Sequence, residues 1–505
     1  MLKLIDKFLN QITMYKLVLY YVCSLWLVAL GLSFSKLLAF SPLELVVSTA
    51  IILTTCWLVN FIFARVFGAP SNIESVYTTA FILILIVPPM HSSGYLPFLF
   101  WVAVLAMASK YILAINKKHI FNPAAVAVAI TAIAIGQSAN WWVNSIYLLP
   151  LVLVGGFLLV RKIRRFDLFF SFLVASLVGI TISAIFTDRD VLITLQKTLT
   201  HSSIFFFAFA MLTEPATTPP TRQLRMVYGV LVGILFNPVM HIGSFYSTPE
   251  LALIVGNIFS YAVSPKQKLV LQLKEKVLAA KDVYDFWFTT DQKLKFKPGQ
   301  YLEWTLGHEH QDIRGMRRYF TIASSPTEYG IMAGLKFYPN SSTFKHSMLF
   351  LNPGDTVVAS QLAGDFVLPD DKNKKLVFMA GGIGSTPFRS MIKYLLDKNE
   401  KRDITFFYSN LSPQDIAYKD VLDQAQKQLG IKVVYTITAQ PFPSDWTGST
   451  GYVDEAMIRK EVPDIKDRYF YISGSRGMVV AFTDTLDRMG VSKRNIKTDF
   501  FPGFV

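Results

Sequence analysis

KKLVFMAGGIGSTPFRSMIKYLL, residues 374–396, is the stretch on which the reading of this chain turns. An apolar run, Leu376–Ala380, meets a glycine-rich turn and then a segment with apolar positions at helical spacing. Gly381, Gly382 and Gly384 allow a tight turn and a close approach of phosphate to the backbone, and the N-terminus of the following helix favours a pyrophosphate. Glycine-rich turns are common, so the weight comes from the company this one keeps. Thr386-Pro387 follow directly, RRYFTIASSP (317–326) lies upstream, and two more strand–turn passages lie downstream. These are DITFFYSN (403–410), ending at Ser409 and Asn410, and DRYFYISGSRGMVVAFTDTLDRMGV (467–491). Alternating strand and helix predicts a parallel sheet with ligand at the strand ends.

Working outward, the chain from Gln267 reads as strands, LVLQLKEKVLAAKDVYDFWFTT alternating with period two. Pro298-Gly299-Gln300 marks a turn, with Tyr301 opening the next strand. In RRYFTIASSP an arginine, an aromatic and a hydroxyl are placed to hold a flavin. Arg318 would neutralise the pyrophosphate, Phe320, next to Tyr319, would cover the isoalloxazine ring, and Thr321 would hydrogen-bond near N5. Ser342 and Thr343 stand where they would donate to phosphate at a helix start. Gly364, before Phe366, lets a ligand approach the backbone. The expected soluble part is thus an antiparallel β-barrel over 265–369 and an α/β parallel-sheet domain over 370–505.

Before residue 265 the character changes. The 505-residue chain is 52% hydrophobic, with a mean hydropathy of +0.39, because apolar runs of membrane-spanning length crowd its first half. Runs beginning at Tyr15, Leu43, Val76, Leu96, Phe121, Asn144, Phe169, Ile204, Met226 and Leu251 predict a polytopic α-helical membrane domain over 1–264, of about ten helices. Lys3 and Lys7, Arg65, Lys110 with Lys117 and Lys118, Arg161 to Arg165, and Arg222 with Arg225 fall on one side. By the positive-inside rule both termini are cytoplasmic, in an inner (cell) membrane protein. The net charge of +14 reads as this topology signal rather than as a nucleic-acid surface. Cys23 and Cys56 sit inside apolar runs as packing residues, with no metal-ligand spacing. The N-terminus shows no cleavable signal peptide. Asn122-Pro123, Glu214-Pro215 with Pro219-Pro220, and Asn237-Pro238 break the apolar runs where irregular backbone must be buried or line a cavity. His91, His119, His201 and His241 are scattered singly, which argues against a bis-histidine heme.

Two resemblances follow from these motifs. FNPAAVAVA, then TEPATTPPTRQLRMVYG, then STPELALIVGNIFSYAVSP resemble, over residues 15–264, one family of membrane proteins. It contains the B component of the sodium-pumping NADH:quinone reductase and the D component of the Rnf complex. That family moves electrons between flavins and often carries FMN covalently on a threonine in a Ser-Gly-Ala-Thr motif. Here the matching loop is GQSANWWVNS, without threonine, so covalent FMN is not carried over and Thr217, Thr218 and Thr221 are not offered in its place. Residues 265–505 resemble the ferredoxin–NADP reductase superfamily. The resemblance implies FAD at Arg318, Phe320 and Thr321, and a nicotinamide loop at Gly381–Pro387. It also implies a Cys-Gly-x-x-x-Met element written here as Ser473, Gly474 and Met478, with Ser473 replacing the family's cysteine beside the nicotinamide. Asp499 stands near the family's acidic position, and Phe501 or Phe504 supplies the closing aromatic.

The expected activity is hydride transfer from NADH or NADPH to FAD, with Thr321 and Ser473 at the reacting rings. Electrons then pass to an acceptor in or across the membrane. Because FAD alone cannot span a core about 30 Å thick, a second flavin such as FMN, a quinone or an extracytoplasmic redox protein must take them. A membrane-anchored quinone reductase and a redox-gated ion permease are the alternatives. Neutral Ser409 and Asn410 beside Asp415 and Lys419 tilt the donor toward NADH.

Overall fold

The computed structural model describes residues 5, 8–9, 12–67, 73–115, 118–243, 245–264, 269–290, 294–308, 316–339 and 341–500. The chain divides into two compact units, residues 1–268 and 269–505.

The first unit is helical: α1 (Met14–Phe34), α2 (Pro42–Val66), α3 (Ile73–Ile86), α4 (Leu96–Ile112), α5 (Pro123–Ile135), α6 (Leu149–Ile163), α7 (Phe166–Phe186), α8 (Val191–His201), a short α9 (Ile204–Phe206) running into a π-helix at Phe207–Leu212, α10 (Arg222–Leu235) and α11 (Pro249–Val263). Starts are written in the sequence as side-chain caps: Thr13, Ser41 with Glu44 as a capping box, Asn122 before Pro123, Asp190, Thr221 and Thr248. Among the described residues, four helices are long and apolar enough to cross a bilayer: α1, α2, α4 with the turn before it (Ser93–Ile112), and α7. Others are shorter than the apolar runs suggest: α5 starts only at Asn122-Pro123 and stops at Gly136, the π-helix stops before Glu214-Pro215, and α10 stops before Asn237-Pro238. Helix α8 has no counterpart among the expected runs; its apolar residues alternate with Thr, Gln and Lys. The unit closes tightly where α10 crosses α7: a Cβ on Gly229 would stand 2.2 Å from Ser171 Oγ, and one on Gly233 would stand 2.7 Å from Phe172 O. The buried Arg225–Asp167 ion pair (2.8 Å) ties these two helices at one end.

The second unit contains two six-stranded sheets. The first is antiparallel: β1 (Leu269–Ala280), β2 (Val283–Thr289), β3 (Tyr301–Thr305), β4 (Arg317–Thr321), β5 (Ile331–Lys336) and β6 (Thr356–Ala363), in spatial order β4-β3-β6-β1-β2-β5. Just past β4, Ala323 N donates to Met332 O (2.8 Å), so the two edge strands curl toward closure. The inward residues of this half-barrel, among them Leu271, Phe286, Phe288, Trp304 and Ile322, form one apolar core. The second sheet is parallel: β7 (Leu376–Gly381), β8 (Ile404–Asn410), β9 (Lys432–Ile437), β10 (Ser449–Thr450), β11 (Tyr469–Gly474) and β12 (Ile496–Phe500), in order β10-β9-β8-β7-β11-β12. Helices α12 (Thr343–Leu349), α13 (Thr386–Asp397), α14 (Lys419–Leu429), α15 (Glu455–Glu461) and α16 (Arg476–Arg488) complete the unit. Strands β7 and β8 are apolar almost throughout because both faces of the sheet are covered, as separate apolar clusters on its two sides show.

Candidate functional site

Strand β7 is flanked by β8 on one side and β11 on the other, so the chain reverses its direction of travel across the sheet there. Ligands bind at such a switch point, beyond the carboxyl ends of the strands. The glycine-rich turn leaves β7 at that point. Gly382 has φ +52°, and a Cβ on Gly384 would stand 2.5 Å from Ser473 O and 2.6 Å from Gly474 Cα. The turn after β7 therefore lies directly against the turn after β11, a closeness only glycine permits. Met478 packs over both turns: its Sδ would be 2.2 Å from a Cβ on Gly381, and its Cε 2.6 Å from one on Gly474. Thr386 is buried, its hydroxyl donating to Ile383 O (3.2 Å), and Pro387 stands in the first turn of α13. Asp499 lies opposite Ser473 in the β11–β12 register.

Strand β4 presents its residues alternately to two faces. Arg318 and Phe320 share one. The Arg318 guanidinium carbon stands 5.2 Å from the Phe344 ring centroid, and the Phe320 ring 5.8 Å from it. Tyr319 is on the other face, half-exposed, with its hydroxyl donating to Glu303 Oε2 (2.6 Å) and its ring edge-on to Tyr301. Ser342 caps α12 by accepting from Lys345 N (3.4 Å), and the Thr343 hydroxyl meets His308 Nε2 (3.0 Å). Gly364, at φ +121°, lies against the Tyr301 ring. Phe501 and Phe504 lie outside the described residues.

Among the described residues, three side chains at the carboxyl ends of strands are buried without a hydrogen-bond partner: the Thr321 hydroxyl, the Ser473 hydroxyl and both heteroatoms of the Asn410 amide. Asn410, 5% exposed, approaches the Tyr408 hydroxyl without bonding to it; that hydroxyl already donates to Ser385 Oγ (3.1 Å). Buried polar groups are almost always paired, and an orphan calls for a ligand or another explanation. Thr321 and Ser473 are the hydroxyls that the sequence assigned to the reacting rings, and with the glycine cradle they fit a flavin and a nicotinamide dinucleotide. Neither charged group near β8 is unengaged. Asp415 accepts from Lys336 (2.7 Å) and Ser412, and although burial opposes ionisation these partners hold its carboxyl below the usual range. Lys419 pairs with Asp423. The sequence reading passed over Asn410 as a contact, and also over Arg389, Glu328, Asp285 and Tyr418. These last four meet only through tertiary folding, and no local motif announces them.

Residues 378–484 match the oxidoreductase NAD-binding domain. The C-terminal half therefore carries an oxidoreductase NAD-binding domain, and the relatives it resembles include reductases. The chain to which this reductase module belongs is 34% identical over 200 residues to the F component of the Na(+)-translocating NADH-quinone reductase of Yersinia pestis, covering 37% of this chain and 49% of that one. It is 28% identical over 256 residues to NADH-cytochrome b5 reductase 1 of Ajellomyces capsulatus, covering 48% of this chain and 82% of that one. Across such relatives the chain spans from about half to four-fifths of their length. Among solved structures, the FAD/NAD-binding domain of nitric oxide dioxygenase from Vibrio cholerae aligns with a TM-score of 0.42 at 21% identity, over 46% of this chain and 98% of that one. Residues 143–266 match the NQR2, RnfD, RnfE family. Together with its apolar helices, that match makes this a membrane protein carrying a reductase module.

In the membrane unit two of the three broken segments converge. Asn122 caps α5 with its side-chain oxygen, donates Nδ2–H to Glu214 Oε2 (3.0 Å), and donates its backbone N–H to Asn257 Oδ1 (2.8 Å). Asn257 Nδ2 reaches the Tyr228 hydroxyl (3.1 Å), and Thr217 donates to Glu214. The FNPA and TEP motifs and α11 thus share one buried polar network.

Proposed function

We propose that this chain takes electrons from NADH through FAD and delivers them to an acceptor in or across the membrane. The observation that carries the reading is the pair of orphaned hydroxyls, Thr321 and Ser473, at strand ends of a reductase module carried by the same chain as an NQR2-type membrane domain. The reductase module lies on the cytoplasmic side of a multi-pass inner-membrane protein, in keeping with the basic residues that flank the apolar runs.

Arg318 and Phe320 would hold the flavin from one face of β4, while the glycine turn would receive the dinucleotide pyrophosphate at the start of α13. Bound FAD supplies the conversion of a two-electron hydride into single electrons. The Thr321 hydroxyl offers the flavin ring a hydrogen bond from a buried position. The Ser473 hydroxyl offers one near the end of β11, beside the glycine turn. NADH rather than NADPH fits the adenosine side. From Val433 to Ile458 there is no lysine, arginine or histidine, and a 2′-phosphate would have to compete with Asp423 for Lys419. The acceptor is a quinone or a second flavin, held without a covalent threonine link.

Acid denaturation of detergent-purified protein, separating released from retained flavin, tests this. One FAD per chain, bleached anaerobically by NADH, is expected. FMN in addition would establish a two-flavin relay. FAD alone with direct quinone reduction would favour the anchored quinone reductase. Well-folded protein without flavin would end the proposal.

A further inference from the structure

Two short segments that flank the reacting positions are stitched together by side chains to which the sequence assigned no role. One is Ala323–Glu328, which begins two residues after Thr321. The other is the first turn and a half of α13, which begins at Thr386. Arg389 is their centre. Its Nη1 donates to Ala323 O (3.2 Å) and to Glu328 Oε2, and its Nη2 donates to Glu328 Oε1 (2.8 Å). The guanidinium carbon lies 5.7 Å from the Trp287 ring and 5.9 Å from the Tyr418 ring. Ser390 Oγ donates to Ser324 O (2.6 Å), and Glu328 holds the same loop by accepting from Ser325 N (2.6 Å).

This is an uneconomical way to hold two lobes together. Arg389 is 8% exposed, its Nε has no partner among the described residues, and a buried ion pair loses to desolvation much of what it gains in attraction. Apolar contact would hold as firmly. A bidentate guanidinium–carboxylate pair adds fixed direction, because two parallel hydrogen bonds define an orientation that apolar packing leaves loose.

We propose that Arg389, acting with Glu328 and Ser390, is a positioning residue for hydride transfer, setting the strand end that carries Thr321 against the turn that carries Thr386 and Pro387. The inference rests on the proposed function. In the step concerned, the C4–H bond of the dihydronicotinamide breaks, and its hydrogen and electron pair pass to the flavin ring; the nicotinamide is oxidised and the flavin reduced by two electrons. Such a transfer is steeply sensitive to placement, and an error of about 1 Å introduced from outside the reacting groups costs about a hundredfold.

The test uses the detergent-solubilised full chain reconstituted with FAD. Arg389→Met, Arg389→Lys and Ser390→Ala are compared with wild type by anaerobic stopped-flow bleaching at saturating NADH, by NAD+ affinity, and by the long-wavelength charge-transfer absorbance on adding NAD+. Arg389→Met is expected to keep its FAD and its NAD+ affinity within about threefold, yet bleach roughly tenfold to a hundredfold more slowly, with a weakened charge-transfer band. Arg389→Lys, which keeps the charge without the fork, should recover part of the rate, and Ser390→Ala should show a smaller loss. Bleaching at the wild-type rate in Arg389→Met, or a loss arising only through weaker NAD+ binding, would overturn the proposal. If Arg389→Met does not fold, full rates and an unchanged band in both Arg389→Lys and Ser390→Ala would overturn it equally. Wild-type flavin that neither NADH nor NADPH bleaches would instead count against the proposed function itself.

Discussion

The two regions densest in motifs treat buried polar groups in opposite ways. Where the FNPA and TEP motifs meet α11, Asn122, Glu214, Asn257, Tyr228 and Thr217 spend their hydrogen bonds on one another, with the His119 imidazole 3.6 Å from Glu214. Where the reductase unit's strands end, Thr321, Ser473 and Asn410 find no partner among the described residues. A saturated network fixes a fold, whereas an unsatisfied one costs stability and is kept for something the chain must bind. The same residue type, asparagine, serves both purposes: Asn257 as a staple, Asn410 as a buried amide that bonds to nothing among the described residues.

The largest effect is expected from breaking the staple. Asn257→Leu removes the acceptor for the Asn122 backbone N–H and the donor to Tyr228, stranding two buried groups at about 1–3 kcal/mol each. Thermal unfolding of the membrane unit in detergent, followed by circular dichroism, should therefore show a loss on the order of 3–5 kcal/mol. A variant as stable as wild type would mean that the network is not structural, and the contrast between the regions would fail.

Legibility in the sequence divides along the same line. The apolar runs fall on helical residues because a hydrophobic run is a local signal, although among the described residues only four helices reach membrane-spanning length, and the caps at Ser41, Asn122 and Thr248 mark starts for the same reason. Helix α8 escaped because its apolar residues are diluted by Thr, Gln and Lys. The glycine turn was readable since its chemistry is packed into seven residues, Gly381 to Pro387. What no sequence pattern could supply was the pairing of distant positions. Gly384 against Ser473, Arg389 against Glu328 and Tyr418 against Asp285 each join residues from separate elements. That Tyr319 turns away from Phe320, toward Glu303, follows from strand alternation only once the strand's faces are known.

A second way to sharpen the comparison uses a buried group that is paired yet costly. Asp285 accepts from the Tyr418 hydroxyl (2.8 Å). Burial pushes its carboxyl up to about 6, against the opposing pull of Tyr418 and Arg389 and with the help of Asp420 and Glu328. A pKa raised in the folded state means that folding favours the protonated form, so this contribution is fully present below about pH 4 and is lost as the pH rises through about 6. Asp285→Asn, which cannot ionise, should gain stability relative to wild type by on the order of 3 kcal/mol between pH 4 and pH 7. Chemical denaturation of the reductase half at several pH values measures this. A difference that stays flat with pH would place Asp285 as an ordinary ionised partner of Arg389.

The smallest effect is the most discriminating. If the Thr321 and Ser473 hydroxyls are kept for ligands, removing them should not weaken the ligand-free protein. Thr321→Val and Ser473→Ala delete a buried donor that has no partner, so flavin-free protein should be unchanged or up to about 1 kcal/mol more stable. The same variants, loaded with FAD, should lose the hydrogen bond that the hydroxyl offers, and bleaching by NADH should slow by roughly tenfold. The sign change is the point: a structural hydroxyl lowers stability when deleted and leaves the loaded rate alone, whereas one held for a cofactor does the reverse. Stability falling in the flavin-free Thr321→Val protein would show that its hydroxyl has a protein partner after all, and would return the strand ends to the same class as the membrane network.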